Sequence, residues 1–348
     1  MLRHSVVPID AGWVEAAASP YISWPEWIAR RAKVVSSAPD RLHDRGGLAP
    51  PSGRVSVISG SKFDTVSLLT DYGTNDEFVG VIKSVIWSLA PQVRIVDLCH
   101  EIAPFDVRGG ALMLARSAQY LCPGVVLAVV DPGVGTSRRA IAVEVGGGQS
   151  VLIGPDNGLL APAVAMVGGA GRVVELTDSE LRLPSPSATF SGRDIFAPAA
   201  GHLCSGLAFE LLGPAIDAVS LLPGLMPISR EEDGGLEAEV LWADRYGNLQ
   251  LNIDPDDVAP WGDQLCVVLD GRRRVARWVK TFAELATGEI GMLVDSYGLA
   301  ALVTNRSSAG VELALAAGDQ VRLEPLGEDG PAALAVSEVN VAFGRRSS

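Results

Sequence analysis

Apolar residues in the first two thirds of the chain form short, nearly continuous runs that alternate with segments of helical periodicity. Strands are predicted by the runs at 65–70, 94–98, 125–130, 140–145, 151–153 and 172–176, and the run at 125–130 has the composition of a buried strand. Apolar positions spaced three and four residues apart predict helices from Thr74 to Leu89 and from Val107 to Tyr120. Thr74 and Glu77 have the pattern of a capping box at the start of the first helix. The alternation predicts an α/β fold with a mostly parallel sheet sandwiched by helices.

The pattern changes to a period of two after a stretch rich in proline and glycine. Strands of a second, antiparallel β domain are predicted at 236–242, 248–253, 265–269, 291–294, 300–304, 311–315 and 320–323. Asp270-Gly271 lies between two of these runs and predicts a hairpin. The domain boundaries follow from these changes: an α/β domain at 65–222, a linker at 223–233, a smaller β domain at 234–325 and a tail at 326–348.

The first 64 residues have no periodic pattern long enough to build a domain. They mix isolated aromatic residues with segments rich in proline and glycine, such as 48–53. We therefore expect residues 1–64 to be a flexible extension, or a segment outside the native start of the protein.

Composition narrows the class of function. The formal net charge of −13 disfavours nucleic-acid binding, and no apolar run approaches the roughly 18 residues of a membrane helix. The four histidines are dispersed, and the cysteines lack the spacing of a metal site or a disulfide framework; they are Cys99, Cys122, Cys204 and Cys266. We therefore expect reduced, packed thiols in a cytoplasmic protein, and no metal site is indicated.

Acidic residues follow two of the predicted strands. Asp71 comes directly after 65–70, and Asp131 comes directly after 125–130. The carboxyl ends of parallel strands line the ligand crevice of open α/β sheets, so both carboxylates are candidate binding groups. Arg138 lies close enough in the chain to pair with Asp131. On this stretch alone, a turn with a structural ion pair remains the alternative.

Two other polar positions have a structural alternative. His100 follows the run 94–98, and we expect it to be a hydrogen-bonded structural histidine rather than a catalyst. In the β domain, Tyr246 and Asn248 fall in a segment that interrupts two strands. An amide there is able to pair with the edge of adenine and an aromatic ring to stack on it, but the same residues also suit a plain β-turn.

Six segments stand in order along residues 65–325: Leu-Leu-Thr-Asp-Tyr-Gly (68–73), Ile-Val-Asp-Leu-Cys-His-Glu-Ile-Ala-Pro-Phe-Asp (95–106), Asp-Pro-Gly-Val-Gly-Thr-Ser-Arg-Arg (131–139), Gly-Pro-Asp-Asn-Gly-Leu-Leu (154–160), Thr-Phe-Ser-Gly-Arg-Asp-Ile-Phe-Ala-Pro (189–198) and Tyr-Gly-Asn (246–248). Together they resemble the S-adenosylmethionine (SAM) hydrolase family, also called SAM hydroxide adenosyltransferases, which is related to the fluorinase and chlorinase. The resemblance implies a homotrimer with sites between the α/β domain of one subunit and the β domain of its neighbour. It also implies the reaction of SAM with water to give adenosine and L-methionine, with SAM as substrate and no cofactor.

The resemblance also implies the roles of individual residues. Asp131 and Arg138 match two members of the family's catalytic constellation. Because a carboxylate paired with a guanidinium is a poor base, we favour orientation of the water by Asp131 over proton abstraction before attack. The substrate-binding residues implied are Asp71 at the ribose, together with Phe105, Asn157, Phe190, Gly192, Asp244, Tyr246, Asn248 and Ser296.

The chain departs from the family at the third member of that constellation. The family motif Thr-Phe-His-Gly-Arg-Asp has a histidine where this chain has Ser191. The halogenases also lack this histidine, so a SAM-dependent halogenase is one alternative. They lose the Asp–Arg pair, however, and carry an insertion for which the loop at 146–149 leaves no room, so the hydrolase is favoured. A SAM- or adenosine-binding protein with impaired catalysis is a further alternative.

Overall fold

The computed structural model describes residues 21–23, 63–269 and 271–327. The predicted extension lies outside the described residues except for Tyr21–Ser23, Phe63 and Asp64, and so does the predicted tail after residue 327. Asp270 of the predicted hairpin also lies outside them. Tyr21–Ser23 is strand β1, which pairs antiparallel with a later strand at Leu225–Pro227.

The first sheet has six strands, all at predicted positions. They are β2 (Thr65–Thr70), β3 (Arg94–Cys99), β4 (Val125–Val129), β5 (Ala140–Val145), β6 (Ser150–Pro155) and β7 (Val173–Glu175). The strand order is β3-β2-β4-β6-β5-β7. The pairs β2–β3, β2–β4 and β4–β6 are parallel, whereas β5 is antiparallel to β6 and to β7. The predicted mostly parallel sheet is therefore confirmed.

Helices cover both faces of this sheet. They are α1 (Phe78–Leu89), α2 (Val107–Ala118), α3 (Ala161–Met166) and α4 (Ala197–Cys204), and a π-helical turn at Gly192–Phe196 leads into α4. Because successive strand residues point to opposite faces, Leu68 belongs to one core with Ile82 and Phe196, while Leu69 belongs to the other with Leu114. Both faces of the sheet are thus covered, as the continuous apolar runs predict, except at the edge strand β3, which is largely exposed in the single chain.

The predicted capping box is wrong. Helix α1 begins at Phe78, after Glu77, and the Glu77 side chain makes no capping hydrogen bond. The Thr74 hydroxyl instead donates a hydrogen bond of 2.9 Å to Glu101 Oε1, in the loop after β3. A tertiary contact between two strand-end loops therefore replaces the local cap.

The second sheet is antiparallel except for one pair of strands, and it closes on itself. After β8 (Leu225–Pro227), its strands are β9 (Arg230–Glu232), β10 (Gly235–Ala243), β11 (Leu249–Leu251), β12 (Gln264–Leu269), β13 (Arg272–Trp278), β14 (Ile290–Val294), β15 (Ala300–Val303) and β16 (Gln320–Pro325). The strand order is β11-β15-β14-β13-β12-β16-β10-β9, and an additional β10–β11 pairing makes it barrel-like. The β13–β14 pair is parallel. The hairpin between β12 and β13 is present, with Leu269 opposite Arg272.

One predicted strand of this β part is a helix. A short helix α5 (Pro255–Val258) follows β11, and the segment predicted as a strand at 311–315 falls in helix α6 (Ala309–Leu313). Ser308 caps α6 by accepting a hydrogen bond of 3.1 Å from the Val311 amide. A short apolar run does not distinguish a strand from a buried helical turn. Here the cap by Ser308 favours the helix.

Helix α2 also contacts the β part. Leu112 and Ala115 of α2 pack in one cluster with Leu241 and Leu299. This contact fixes the position of α2 against β10. Among the described residues, no helix combines the length and the apolar character that crossing a bilayer requires.

Candidate active site

The candidate site begins where β2 and β4 end. These strands are parallel neighbours, and the Asp71 amide donates a hydrogen bond of 3.4 Å to the Val129 carbonyl. Asp71 and Asp131 therefore lie at the same edge of the sheet. Both line a cavity of about 590 Å³, together with Phe105 and Phe190. The structure thus brings four of the predicted site residues into one cavity, as the strand-end argument predicts.

Asp71 is half-buried and held by the loop after β3. Its Oδ2 accepts a hydrogen bond of 3.0 Å from the Phe105 amide. Burial raises the pKa of the Asp71 carboxyl, the Phe105 amide lowers it, and the negative charge of Asp131 adds to the rise. Phe105 has a positive φ of 68° and is 72% exposed in the single chain. The carboxylate has room to accept further hydrogen bonds, and the ring is free to pack on a flat ligand.

The raised pKa of Asp71 predicts a small gain in stability for Asp71→Asn. Below the ordinary pKa of 3.8 the carboxyl is protonated in both the folded and unfolded states, so wild type and variant should melt alike. Above the raised pKa of the folded state, ionisation costs stability, and an amide avoids that cost. We expect the melting temperature to rise by about 1–2 °C at pH 7, since water screens half of the side chain. The difference should vanish as the pH falls below 4.

Asp64→Asn is the matched control for this measurement. Asp64 is exposed, and its hydrogen bonds from Thr65 and Arg94 lower its pKa. Its substitution should therefore leave the melting temperature at pH 7 unchanged or slightly lower. A lower melting temperature at pH 7 for Asp71→Asn than for wild type would contradict the prediction.

Asp131 and Arg138 form a bidentate ion pair. Arg138 Nε donates to Asp131 Oδ1 at 2.8 Å, and Arg138 Nη2 donates to Asp131 Oδ2. The Asp131 side chain is only 5% exposed, and the guanidinium lies 5.1 Å from the centre of the Phe196 ring. With both oxygens fixed, the carboxylate has no freedom to rotate. It presents its remaining lone pairs to the cavity in one direction, which suits the orientation of a water molecule.

Gly192 has a packing role beneath the same cavity. A Cβ atom at this position would lie 2.5 Å from the hydroxyl oxygen of Tyr72. Tyr72 packs edge-on against Phe190, with ring centres 5.7 Å apart, and burial raises the pKa of its hydroxyl. Tyr72 also lines the cavity. The glycine thus lets the aromatic wall approach the turn before α4.

Ser191 is buried but does not line the cavity of Asp71 and Asp131. It lines a neighbouring cavity of about 390 Å³ with Arg138. The two cavities share Ser187 as a lining residue. Ser191 therefore shares a cavity with Arg138 but not with Asp131.

The predicted residues of the β part form a second group. Asp244, Asn248 and Ser296 line a cavity of about 460 Å³. Asp244 accepts hydrogen bonds of 2.8 Å from the Tyr246 amide, 2.9 Å from the Asn248 amide and 2.8 Å from Asn248 Nδ2. Tyr246 is 78% exposed and does not line this cavity. The segment is thus a tight turn that also forms part of a cavity wall.

Two further polar residues are engaged in the fold. Asn157 donates to the Val130 carbonyl at 2.9 Å and accepts from the Leu159 amide at 3.1 Å, so it joins the β4 and β6 ends. His100 is buried between Thr70 Oγ1 at 2.9 Å and Asp97 Oδ1 at 3.0 Å. The structural role predicted for His100 is confirmed. No group of three or more potential metal-binding His, Cys, Asp or Glu side chains occurs in the described part of the chain.

Several residues of these cavities were absent from the sequence prediction. Tyr72 and Phe78 line the first cavity, and Arg116, Trp242 and Asp295 line the β-part cavity. Tyr72 belongs to the family segment 68–73, so that segment could have identified it as a site residue. Arg116 has no such signal, because its position near the end of α2 is typical of a solvated helix terminus.

Family profiles match both parts of the chain. The profile of the SAM hydroxide adenosyltransferase N-terminal domain matches residues 66–213, and that of the C-terminal domain matches residues 238–322. The chain belongs to the SAM hydroxide adenosyltransferase family. The resemblance inferred from the six segments is thereby confirmed.

Individual relatives agree with this family. The chain is 43% identical over 258 residues to the (R)-S-adenosyl-L-methionine hydrolase of Salinispora tropica, which covers 74% of this chain and 97% of the relative. It is 27% identical over 292 residues to a fluorinase of Actinopolyspora mzabensis, covering 74% of this chain and 96% of the relative. A crystal structure of an uncharacterized conserved protein from Thermotoga maritima superposes with a TM-score of 0.67 at 34% identity, covering 74% of this chain and 99% of that one. The family fold is thus confirmed, and a named hydrolase is more similar to this chain than the named fluorinase.

Proposed function

We propose that this protein hydrolyses S-adenosylmethionine to adenosine and L-methionine. The observation that carries the proposal is the buried Asp131–Arg138 pair in the wall of a cavity that also holds Asp71 and Phe105. The similarity to proteins named (R)-S-adenosyl-L-methionine hydrolase supports the substrate. That name specifies the (R) configuration, which refers to the sulfonium centre because the α-carbon is already given as L.

The reaction is a direct displacement at C5′ of the ribose. The oxygen of water bonds to C5′ while the C5′–S bond breaks. The electron pair of the C5′–S bond passes to sulfur. Methionine leaves as a neutral thioether, so no general acid is needed, and the proton of the attacking water passes to solvent. In this proposal Asp131 accepts a hydrogen bond from the water, Arg138 fixes the carboxylate, and Asp71 accepts the ribose hydroxyls.

We propose that the complete site forms between two copies of the chain. Within one chain, Asp71 and Asp131 line one cavity, while Asp244, Asn248 and Ser296 line another. A homotrimer with cyclic symmetry would let the first cavity of one subunit face the second cavity of its neighbour. Cys99, Cys122 and Cys266 are free thiols, which supports the proposed cytoplasmic location.

Product analysis tests the proposed reaction. The purified protein is incubated with each sulfonium epimer of SAM, with and without chloride, and the products are separated by chromatography. We expect adenosine and methionine from at least one epimer, at a rate that chloride does not change. A 5′-halogenated adenosine would identify a halogenase instead.

The second candidate function is SAM or adenosine binding without turnover. Ser191 favours it, because a serine hydroxyl does not share a proton near neutral pH as a histidine does. Intact SAM retained by the protein after incubation would support this candidate. In that case Ser191→His is the next variant to assay, since gain of turnover would identify the missing group.

A further inference from the structure

Arg116 is a cation of helix α2 that lines the 460 Å³ cavity of the β part. Its Nη1 donates a hydrogen bond of 3.2 Å to Gln250 Oε1. Its guanidinium carbon lies 4.7 Å from the centre of the Trp242 ring and 5.2 Å from that of Tyr297. Two aromatic rings and one amide therefore hold this guanidinium in place where helix α2 packs against the β part.

Within the described residues, Arg116 forms no salt bridge at contact distance, although the negative charges of Asp244 and Asp295 act on it from farther away. Gln250 is its hydrogen-bond acceptor there, and its Nε is buried without an acceptor. On the same helix, by contrast, Arg108 pairs with Glu239. A partly buried guanidinium with one neutral acceptor is costly, and an anion bound in the cavity would offset that cost.

The carboxylates of the same cavity are occupied by other donors. Asp244 accepts three hydrogen bonds from Tyr246 and Asn248, and Asp295 accepts from Gln250 and from two backbone amides. The cavity is also lined by Lys280, so it presents charges of both signs. Such a surface is complementary to a zwitterion, in which an ammonium and a carboxylate share one carbon.

We propose that Arg116 binds the α-carboxylate of the substrate and thereby selects a sulfonium that carries an intact amino acid. This inference rests on the proposed function, and it assigns a specificity-determining residue to the cavity of the β part. The free donors of a guanidinium match a carboxylate in two parallel hydrogen bonds.

The test compares SAM with decarboxylated SAM, which keeps the ammonium and the sulfonium but has no carboxylate. Values of kcat/KM are measured for both substrates with the wild type and with Arg116→Met, which keeps the length and the apolar stem. We expect the wild type to prefer SAM by about tenfold or more, the usual effect of a charged hydrogen bond. Arg116→Met should lower kcat/KM for SAM only, so that the preference falls close to one.

Arg108→Met is the matched control. It removes another arginine of α2 that also contacts the β part, but Arg108 does not line the cavity. This control should leave the preference for SAM unchanged. An equal loss for both substrates in Arg116→Met, or a wild type that does not discriminate between them, would overturn the proposal. If Arg116→Met does not fold, Arg116→Lys replaces it: the planar fork is lost, so the preference should fall by a smaller factor, and an unchanged preference overturns the proposal.

Binding measurements separate this inference from the proposed function. A wild type that hydrolyses neither substrate overturns the proposed function alone. In that case the Kd values of SAM and decarboxylated SAM are measured by calorimetry for the same variants. Arg116 binds the carboxylate if the wild type prefers SAM and Arg116→Met loses that preference.

Discussion

Asp131→Asn is expected to lower kcat by about 10²-fold or more, with little change in KM for SAM. An amide has only one acceptor oxygen, so the variant would lose the two parallel hydrogen bonds in which Nε and Nη2 of Arg138 each bind a separate oxygen. The side chain must rotate or separate from the guanidinium, and a water held by it would no longer point at C5′. KM should change little because Asp131 is proposed to contact the water rather than the substrate. Steady-state kinetics of adenosine release measure both parameters.

Asp156→Asn is the matched control for this variant. Asp156 is also buried and paired with an arginine, Arg139, whose Nε lies 2.9 Å from Asp156 Oδ2. It does not line the cavity of Asp131. This substitution should lower the melting temperature but keep kcat close to that of the wild type. If both variants reduce kcat equally, the effect of Asp131→Asn reflects loss of a buried ion pair, and its proposed role with water is wrong.

Two inactive variants are expected to restore activity when they assemble together. Asp131→Asn damages the cavity of the α/β part, and Asp244→Ala damages the cavity of the β part. If each site combines these two cavities from neighbouring subunits, a mixed ring contains sites with both intact halves. Every mixed trimer, whichever variant is present twice, contains one such site, so about one third of the sites in the isolated mixed trimers should recover. Coexpression with two different tags, followed by isolation of the mixed oligomer, provides the sample.

The mixed oligomer distinguishes a shared site from a site within one chain. If both cavities of one chain act together, every chain in the mixture carries one damaged half, and no activity returns. Coexpressed wild type and Asp131→Asn form the control, because about half of their sites should be active in either arrangement. Native mass spectrometry of the same sample tests the trimer directly.

Local chemistry in the sequence determined much of the first sheet and its site. Apolar runs predicted all six strands, and most clearly the buried ones, because strands buried on both faces leave little choice of residue. The edge strand β3 is largely exposed and includes Arg94 and Asp97. The Asp131–Arg138 pair was predictable because both residues belong to one turn after β4. The position of Asp71 beside Asp131 was also predictable, because neighbouring parallel strands end at the same edge of a sheet.

Contacts between distant segments determined the rest. The hydroxyl of Thr74 caps no helix because Glu101 is its partner, and Gly192 is needed because Tyr72 approaches it across the sheet edge. Arg116 is separated by 134 positions from Gln250, the residue to which it donates. No local pattern records such a pairing, because it exists only once α2 packs against the β part. The sequence by itself thus determined the sheet, its strand-end carboxylates and the family. Tertiary packing decided that Arg116 lacks a salt bridge and that it lines the cavity of the β part.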